Sequence, residues 1–272
     1  MPNKESNGYI FTFSAVLVLV VSVGLTLVYQ ITKDPYLKSV ELEKRQNILV
    51  AATGQDLSRE EAGKMFDEYI VDMFAYNSEG EVKPLDKKEV FNLDLAKELR
   101  KPEEEVLYPV FVYEDGTVRR YVIAMRGNGL WGPIWGYLSV ESDMLTVSNA
   151  VFDHKGETPG LGAEIKTEVF QKQFRPNASG KKLIASIAPG TNAYLGVEKP
   201  GKVQPENERY AYTVDGISGG TITSDGVKWM LERYIKAFRN YTARNISTTT
   251  DTEALELTEE TPEMNEVLSE AI

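Results

Sequence analysis

The chain has 272 residues, 42% of them apolar, with no cysteine, one histidine and a formal net charge of −11. The acidic balance argues against a nucleic-acid partner, whose phosphates need a basic face. The missing cysteines exclude a disulfide framework and thiolate-held iron–sulfur clusters, and the lone His154 leaves little for a metal site or a Ser-His-Asp triad. A redox role would rest on an organic cofactor or on partner chains.

Residues 8–29 are uncharged and almost wholly apolar, and 22 residues suffice to cross a bilayer. A retained transmembrane helix is expected over 8–30. The alternative is a secretory signal peptide, but the run is too long for its apolar region and no small-x-small site follows. Charge leaves the orientation open: counting Lys33, Lys38, Lys44 and Arg45 against Lys4 would put the following domain in the cytoplasm. Residues 31–106 are predicted as a helical and loop membrane-proximal region. It holds a helix over 37–52, a second capped at Ser58-Arg59-Glu60-Glu61 and running to about residue 74, and a short helix at 93–99.

From residue 107 the texture becomes β. Strands are predicted at 107–113, 118–126, 137–140 and 145–152, with a hairpin signal at Glu114-Asp115-Gly116-Thr117. A helix is expected over 163–174, and further strands at 182–188 and 210–214. Val227, Met230, Leu231, Tyr234, Ile235 and Phe238 recur at helical spacing, with Ser224 or Asp225 as the N-cap. Antiparallel strands with flanking helices make residues 107–245 an α+β core. Residues 246–272 read as a flexible acidic tail, since 251–272 hold eight acids and no Lys or Arg.

Three segments carry chemistry. In Asp215-Gly216-Ile217-Ser218-Gly219-Gly220-Thr221-Ile222-Thr223-Ser224, Gly219 and Gly220 allow a tight turn and close approach of a ligand, and four hydroxyls crowd into seven positions before a helix start. Backbone N–H groups and the helix dipole favour an anion there, so a phosphate is the expected guest. In Glu157-Thr158-Pro159-Gly160-Leu161-Gly162, Pro159 and Gly160 suit the two corners of a turn. Trp131, Trp135 and Tyr137 follow a glycine run, as core packing or as a lid on a flat ring system.

Asp-Gly-x-Ser-Gly-x-Thr followed by x-Thr-Ser resembles the flavin-attachment motif of the FMN-binding subunits of bacterial respiratory complexes, and Glu157–Gly162 resembles their second conserved loop. The resemblance implies FMN linked covalently by a phosphoester to Thr221, with Thr223 the alternative, and an α+β FMN-binding domain behind one membrane helix. It implies Ser218, Gly219 and Gly220 as the attachment turn. Glu157, Thr158, Gly160, Leu161 and Gly162 would wall the cofactor, with Leu130 and Trp131 near it. The family usually has alanine where this chain has Gly220. Glu43-Lys44-Arg45-Gln46-Asn47-Ile48-Leu49-Val50-Ala51-Ala52 and Gly127-Asn128-Gly129-Leu130-Trp131-Gly132 are similar to stretches of the covalent-FMN-binding C-subunit of the sodium-translocating NADH:quinone (ubiquinone) reductases.

Membership of that family implies an electron relay among other membrane subunits of the bacterial inner membrane. The FMN domain would lie on the outer, periplasmic face, against the literal charge count, and a separate flavin transferase would install the flavin. NADH would bind elsewhere, because no Gly-x-Gly-x-x-Gly opens a βαβ unit here. An alternative is the FMN subunit of the related ferredoxin:NAD complex. Another is a flavin-free, membrane-tethered scaffold whose Gly-Gly-Thr turn merely starts a helix. A hydrolase using Ser218 lacks the Gly-x-Ser-x-Gly elbow.

Overall fold

The computed structural model describes residues 6–176, 181–188, 192 and 194–259, of which 246–259 are described as backbone. Helix α1, Asn7–Thr53, is one 47-residue helix rather than two. Pro35 removes the N–H that would bond the carbonyl of Ile31, yet helical geometry persists on both sides. The apolar part has a mean hydropathy of 2.5 and is exposed, whereas Ile48, Leu49, Ala51 and Ala52 are buried. One helix is therefore a candidate membrane span at its start and a core element at its end. It stops at Gly54, whose φ of 72° lies in the left-handed region and whose N–H bonds the carbonyl of Val50.

Helix α2, Arg59–Tyr69, begins with the predicted capping box: Glu61 N–H donates to Ser58 Oγ, and Ser58 N–H donates to Glu61 Oε2. It ends earlier than expected. Ile70 continues the spacing of Ala62 and Phe66, but Ile70–Tyr76 forms strand β1. The hairpin closes with β2, Val82–Lys83; α4, Leu95–Glu98, falls within the helix predicted over 93–99, and α3, Lys87–Phe91, is a further short helix in what was expected as loop.

Strands β3, Tyr108–Glu114, β4, Arg119–Asn128, β5, Pro133–Glu141, and β6, Val147–His154, follow as an antiparallel meander. The six strands order as β2-β1-β3-β4-β5-β6, in registers such as Phe111↔Val122 and Ala124↔Tyr137. The sheet thus reaches across the boundary expected at 106/107, because β1 pairs along β3.

Alternation sorts the strands onto two faces. Tyr108, Val110, Val112, Ile123, Met125, Leu138 and Phe152 pack against α6, Thr221–Glu259. Phe111, Tyr113, Val122, Ala124 and Tyr137 meet the end of α1 and α2. The result is an α+β domain with one helical layer on each face.

Between β6 and α6 the structure departs from several expectations. The helix predicted over 163–174 is three short pieces: a 3-10 turn Gly162–Lys166, α5 at Glu168–Gln171, and a 3-10 turn Lys172–Phe174. Residues 182–188 form only isolated bridges, Thr146↔Ile184 and Ile187↔Tyr194. The strand expected at 210–214 is a 3-10 turn, Glu208–Tyr212, leading into β8, Thr213–Asp215, which pairs in parallel with β7, Gly196–Glu198. Helix α6 extends into the expected flexible tail as far as Glu259, and the remainder of that tail lies outside the described residues.

Candidate functional site

The glycine-rich segment closes as a tight turn. Gly220 N–H donates to the carbonyl of Ile217, and Gly219 holds a φ of +77°, as the third residue of such a turn requires. Helix α6 starts at Thr221, earlier than the predicted cap at Ser224 or Asp225. Ser224 serves the turn from inside: its N–H donates to the Gly220 carbonyl and its Oγ accepts from Ile217 N–H. Thr221, Ile222 and Thr223 supply first-turn N–H groups that have no carbonyl within the helix to bond. Farther along, Gly226 lets the helix rest on the end of β4, since a Cβ there would lie 2.2 Å from the Asn128 carbonyl oxygen.

Glu157 ties three loops together. Its Oε1 accepts from Trp131 N–H at 2.8 Å and its Oε2 from Thr223 Oγ1 at 2.6 Å, with the side chain buried. Burial acts to raise its pKa, but hydrogen bonds from Thr223, Trp131 and Leu130 outweigh it and leave the carboxyl below its ordinary value. The two flanking glycines are sterically required. A Cβ on Gly162 would lie 2.3 Å from Thr223 Oγ1, and one on Gly129 2.6 Å from Glu157 Oε1. His154 belongs to the same assembly, its Nδ1 accepting from Glu157 N–H.

This clamp separates two threonines of one motif. Thr223 is 2% exposed and donates to Glu157, whereas Thr221 is exposed at the mouth of a cleft of about 420 Å³. Ser218, Gly219, Lys199, Lys202 and Lys228 also line that cleft. On the other side of the turn, Leu161 borders Gly219, Trp131 Nε1 donates to Thr158 Oγ1, and Leu130, Trp131 and Leu161 are exposed. Gly160, with φ +75°, occupies the left-handed corner of that loop. A cationic cleft at a helix start beside an apolar ledge fits a ligand with a phosphate at one end and a planar ring system at the other.

Thr221, Ser218, Gly219, Thr158, Gly160, Leu161, Leu130 and Trp131 are exposed, and Glu157, Gly162, Gly220 and Thr223 are buried behind them. Trp135 and Tyr137, grouped with Trp131 in the sequence, belong to the opposite face of the sheet. Gly220 is close-packed: a methyl there would lie 3.0 Å from Ile217 Cγ2 and 3.3 Å from Gly162 N. The lysine wall went unpredicted. Its only sequence signal was Lys199-Pro200-Gly201-Lys202, a basic turn in an acidic chain, with nothing to link it to Thr221.

A family model described as an FMN-binding domain matches residues 129–236. The chain is 30% identical over 239 residues to the C-subunit of the Na(+)-translocating NADH-quinone reductase of Haemophilus ducreyi, covering 83% of this chain and 88% of that one. With the same protein of Chlamydia caviae it shares 39% identity over 132 residues, 46% of this chain and 40% of the relative's length. The crystal structure of the same protein from Parabacteroides distasonis superposes with a TM-score of 0.61 at 40% identity, covering 74% of this chain and 92% of that one.

Proposed function

The chain belongs to the NqrC family, the C-subunits of the Na(+)-translocating NADH-quinone reductases, and contains an FMN-binding domain, and on that premise we propose that it carries FMN covalently, through a phosphoester to Thr221 Oγ. The observation that carries the reading is the contrast within one motif between an exposed Thr221 at the cleft and a buried Thr223 bonded to Glu157. An exposed hydroxyl at a helix start can accept a phosphoryl group whose charge stays near water and the helix dipole. The buried hydroxyl would have to give up its carboxylate partner and bury a charge.

Thr221 tethers the phosphate, and the first-turn N–H groups of α6 face it. Ser218, Gly219 and Gly220 shape the turn, while Glu157, Gly162 and Thr223 hold the loops behind it. Thr158, Gly160, Leu161, Leu130 and Trp131 border the ring system. Bound FMN supplies reversible electron transfer, and linkage through its phosphate leaves the ring free for that task. A separate flavin transferase makes the attachment, forming the Oγ–P bond as its flavin donor loses a leaving group from phosphorus and Thr221 loses its proton.

In this reading the chain relays electrons between neighbouring subunits of the reductase, from a membrane anchor at residues 8–30 and with the FMN domain on the outer face. NADH binds to another subunit. Sodium crosses through multi-span partners, because residues 8–29 contain no ionisable group of the kind an ion path uses.

The test is intact-protein mass with in-gel fluorescence after denaturation, on full-length chain co-expressed with a flavin transferase. The expected result is an added mass of FMN less one water, lost in Thr221→Ala and retained in Thr221→Ser. An adduct that persists in Thr221→Ala would move the attachment to Thr223. No adduct under any condition would leave the flavin-free scaffold.

A further inference from the structure

The cleft beside Thr221 is cationic in a chain of net charge −11. Its organising group is Glu198, at the end of β7, with a side chain only 12% exposed. One carboxylate meets three cations: Lys202 Nζ at 2.6 Å, Lys228 Nζ at 3.2 Å and Arg209 Nη2 at 3.4 Å. Burial acts to raise the Glu198 pKa, but hydrogen bonds from Lys202 and Lys228 prevail and keep it below its ordinary value, so it stays ionised. Lys199 makes no ion pair among the described residues. Of the groups lining the cleft, three lysines face Glu198 and Asp225, and Glu198 already shares its charge with Arg209 from outside.

Lys228 is the best placed of the three. It sits on α6 seven residues after Thr221, nearly two turns along, and helix side chains lean back toward the N-terminus. Its stem lies against Gly196, where a Cβ would be 3.4 Å from Lys228 Cγ, and Glu198 holds its ammonium at the cleft. Lys199 and Lys202 line the same cleft, and Lys202 shares the Glu198 carboxylate with Lys228.

We propose that Lys228, steered by Glu198 and assisted by Lys199 and Lys202, is the binding residue that fixes the phosphate of the flavin beside Thr221 Oγ. The inference rests on the reading that FMN is carried at Thr221. It adds a second point of hold, so that the phosphate is recognised by charge before and after the covalent bond forms. An ammonium held by a buried carboxylate is already oriented and loses little freedom on meeting the anion.

The test uses full-length Thr221→Ala protein in detergent, which cannot form the adduct at that residue, titrated with free FMN and with riboflavin, which lacks the phosphate. FMN should bind about tenfold or more tightly than riboflavin, and the preference should weaken as salt rises. In Thr221→Ala/Lys228→Gln the preference should collapse toward unity while riboflavin binding is unchanged. Lys228→Arg in the same background should keep most of it. In the attachable chain, Lys228→Gln should slow the appearance of adduct mass by about the same factor. An FMN preference that survives Lys228→Gln, with adduct formed at the native rate, would overturn the assignment and leave Thr221 attachment standing. Equal binding of FMN and riboflavin by Thr221→Ala protein would overturn it as well. Failure of the native chain to acquire any adduct would instead remove the reading on which it rests.

Discussion

The sheet face that receives the end of α1 adds side-chain bonds to that helix's last carbonyls on top of its apolar packing, whereas the face under α6 gathers the aromatic rings and the closest backbone approach. On the first, Arg120 Nη1 donates to the Ala52 carbonyl at 2.6 Å and Asn149 Nδ2 to the Val50 carbonyl at 2.9 Å. Arg120 thereby captures a carbonyl in the last turn that has no partner within the helix, and Asn149 adds a second donor to the Val50 carbonyl that Gly54 N–H already bonds. Arg45 lies over the Phe66 ring, and Lys44 reaches the Phe91 carbonyl. On the second face Tyr76 stacks on Tyr108 and Tyr241, Tyr234 meets Tyr108 edge-on, Phe238 lies tilted against Tyr76, and Gly226 brings α6 onto β4. Polar capture fixes where one helix ends; aromatic burial supplies non-directional stability and leaves the helix start free for a ligand. In the proposed reading, anchoring and cofactor holding fall to opposite faces and should be separable by mutation.

Three substitutions test that separation. Glu157→Ala has the largest expected effect, because it strands Trp131 N–H and the Thr223 hydroxyl behind the attachment turn. Denaturant unfolding of the full chain should show a loss of about 2–4 kcal/mol, together with slower flavin attachment. Asn149→Ala acts on the anchor face, removing contacts to Val50 and Arg175, and should cost about 1–2 kcal/mol. Its adduct yield should equal that of the native chain; a matching fall in yield would show the two faces to be coupled.

The smallest effect concerns Lys44, whose pKa burial lowers from 10.5 to about 8, with Asp94 opposing the shift. Below pH 8 both folded and unfolded chains carry the proton, and the cost of burying the charge is fully present. Between about 8 and 10.5 the unfolded chain binds more protons, so stability rises with pH. Above the ordinary tyrosine value of 10.0 the trend reverses, because burial raises the pKa of Tyr76, Tyr137 and Tyr234 and the folded state retains their protons longer. Lys44→Met should gain about 1 kcal/mol at neutral pH and flatten the rise between pH 8 and 10, read from unfolding midpoints across pH.

Much of the domain was legible because its signals are local. Short runs of Val, Ile, Tyr and Phe and the Asp115-Gly116 turn gave the antiparallel strands β3 to β6, and the glycine turns gave the two loops around Thr221. The errors lie where local signals conflict with pairing. Ile70 fits the helical spacing of α2, but β3 offers a ladder that outweighs it. Residues 182–188 have strand composition yet find only single bridges, since their backbone bonds are divided between Leu145 and Val147 on one side and Ala211 on the other. Gly220 does close the turn, and it also stands at the cap of α6, where its carbonyl accepts from Ser224 N–H and glycine is acceptable. The cationic wall was invisible because Glu198, Lys202, Arg209 and Lys228 meet only through the parallel pairing of β7 with β8 and the packing of α6.

In the proposed reading, the unbroken course of α1 makes the anchor a mast rather than a tether. From Tyr29, at the end of the apolar run, to Ile48, the first residue buried in the domain, the helix rises about 28 Å at 1.5 Å per residue. A flexible linker of that length would let the domain wander over a broad zone. A helix fixes its standoff and couples any roll of the anchor to a swing of the cofactor face, with Pro35 as the point where the shaft can bend. Distance to the next redox centre would then be set by the length of a rod, and inserting or deleting one helical turn between residues 37 and 44 would change the reach in steps of about 5.4 Å.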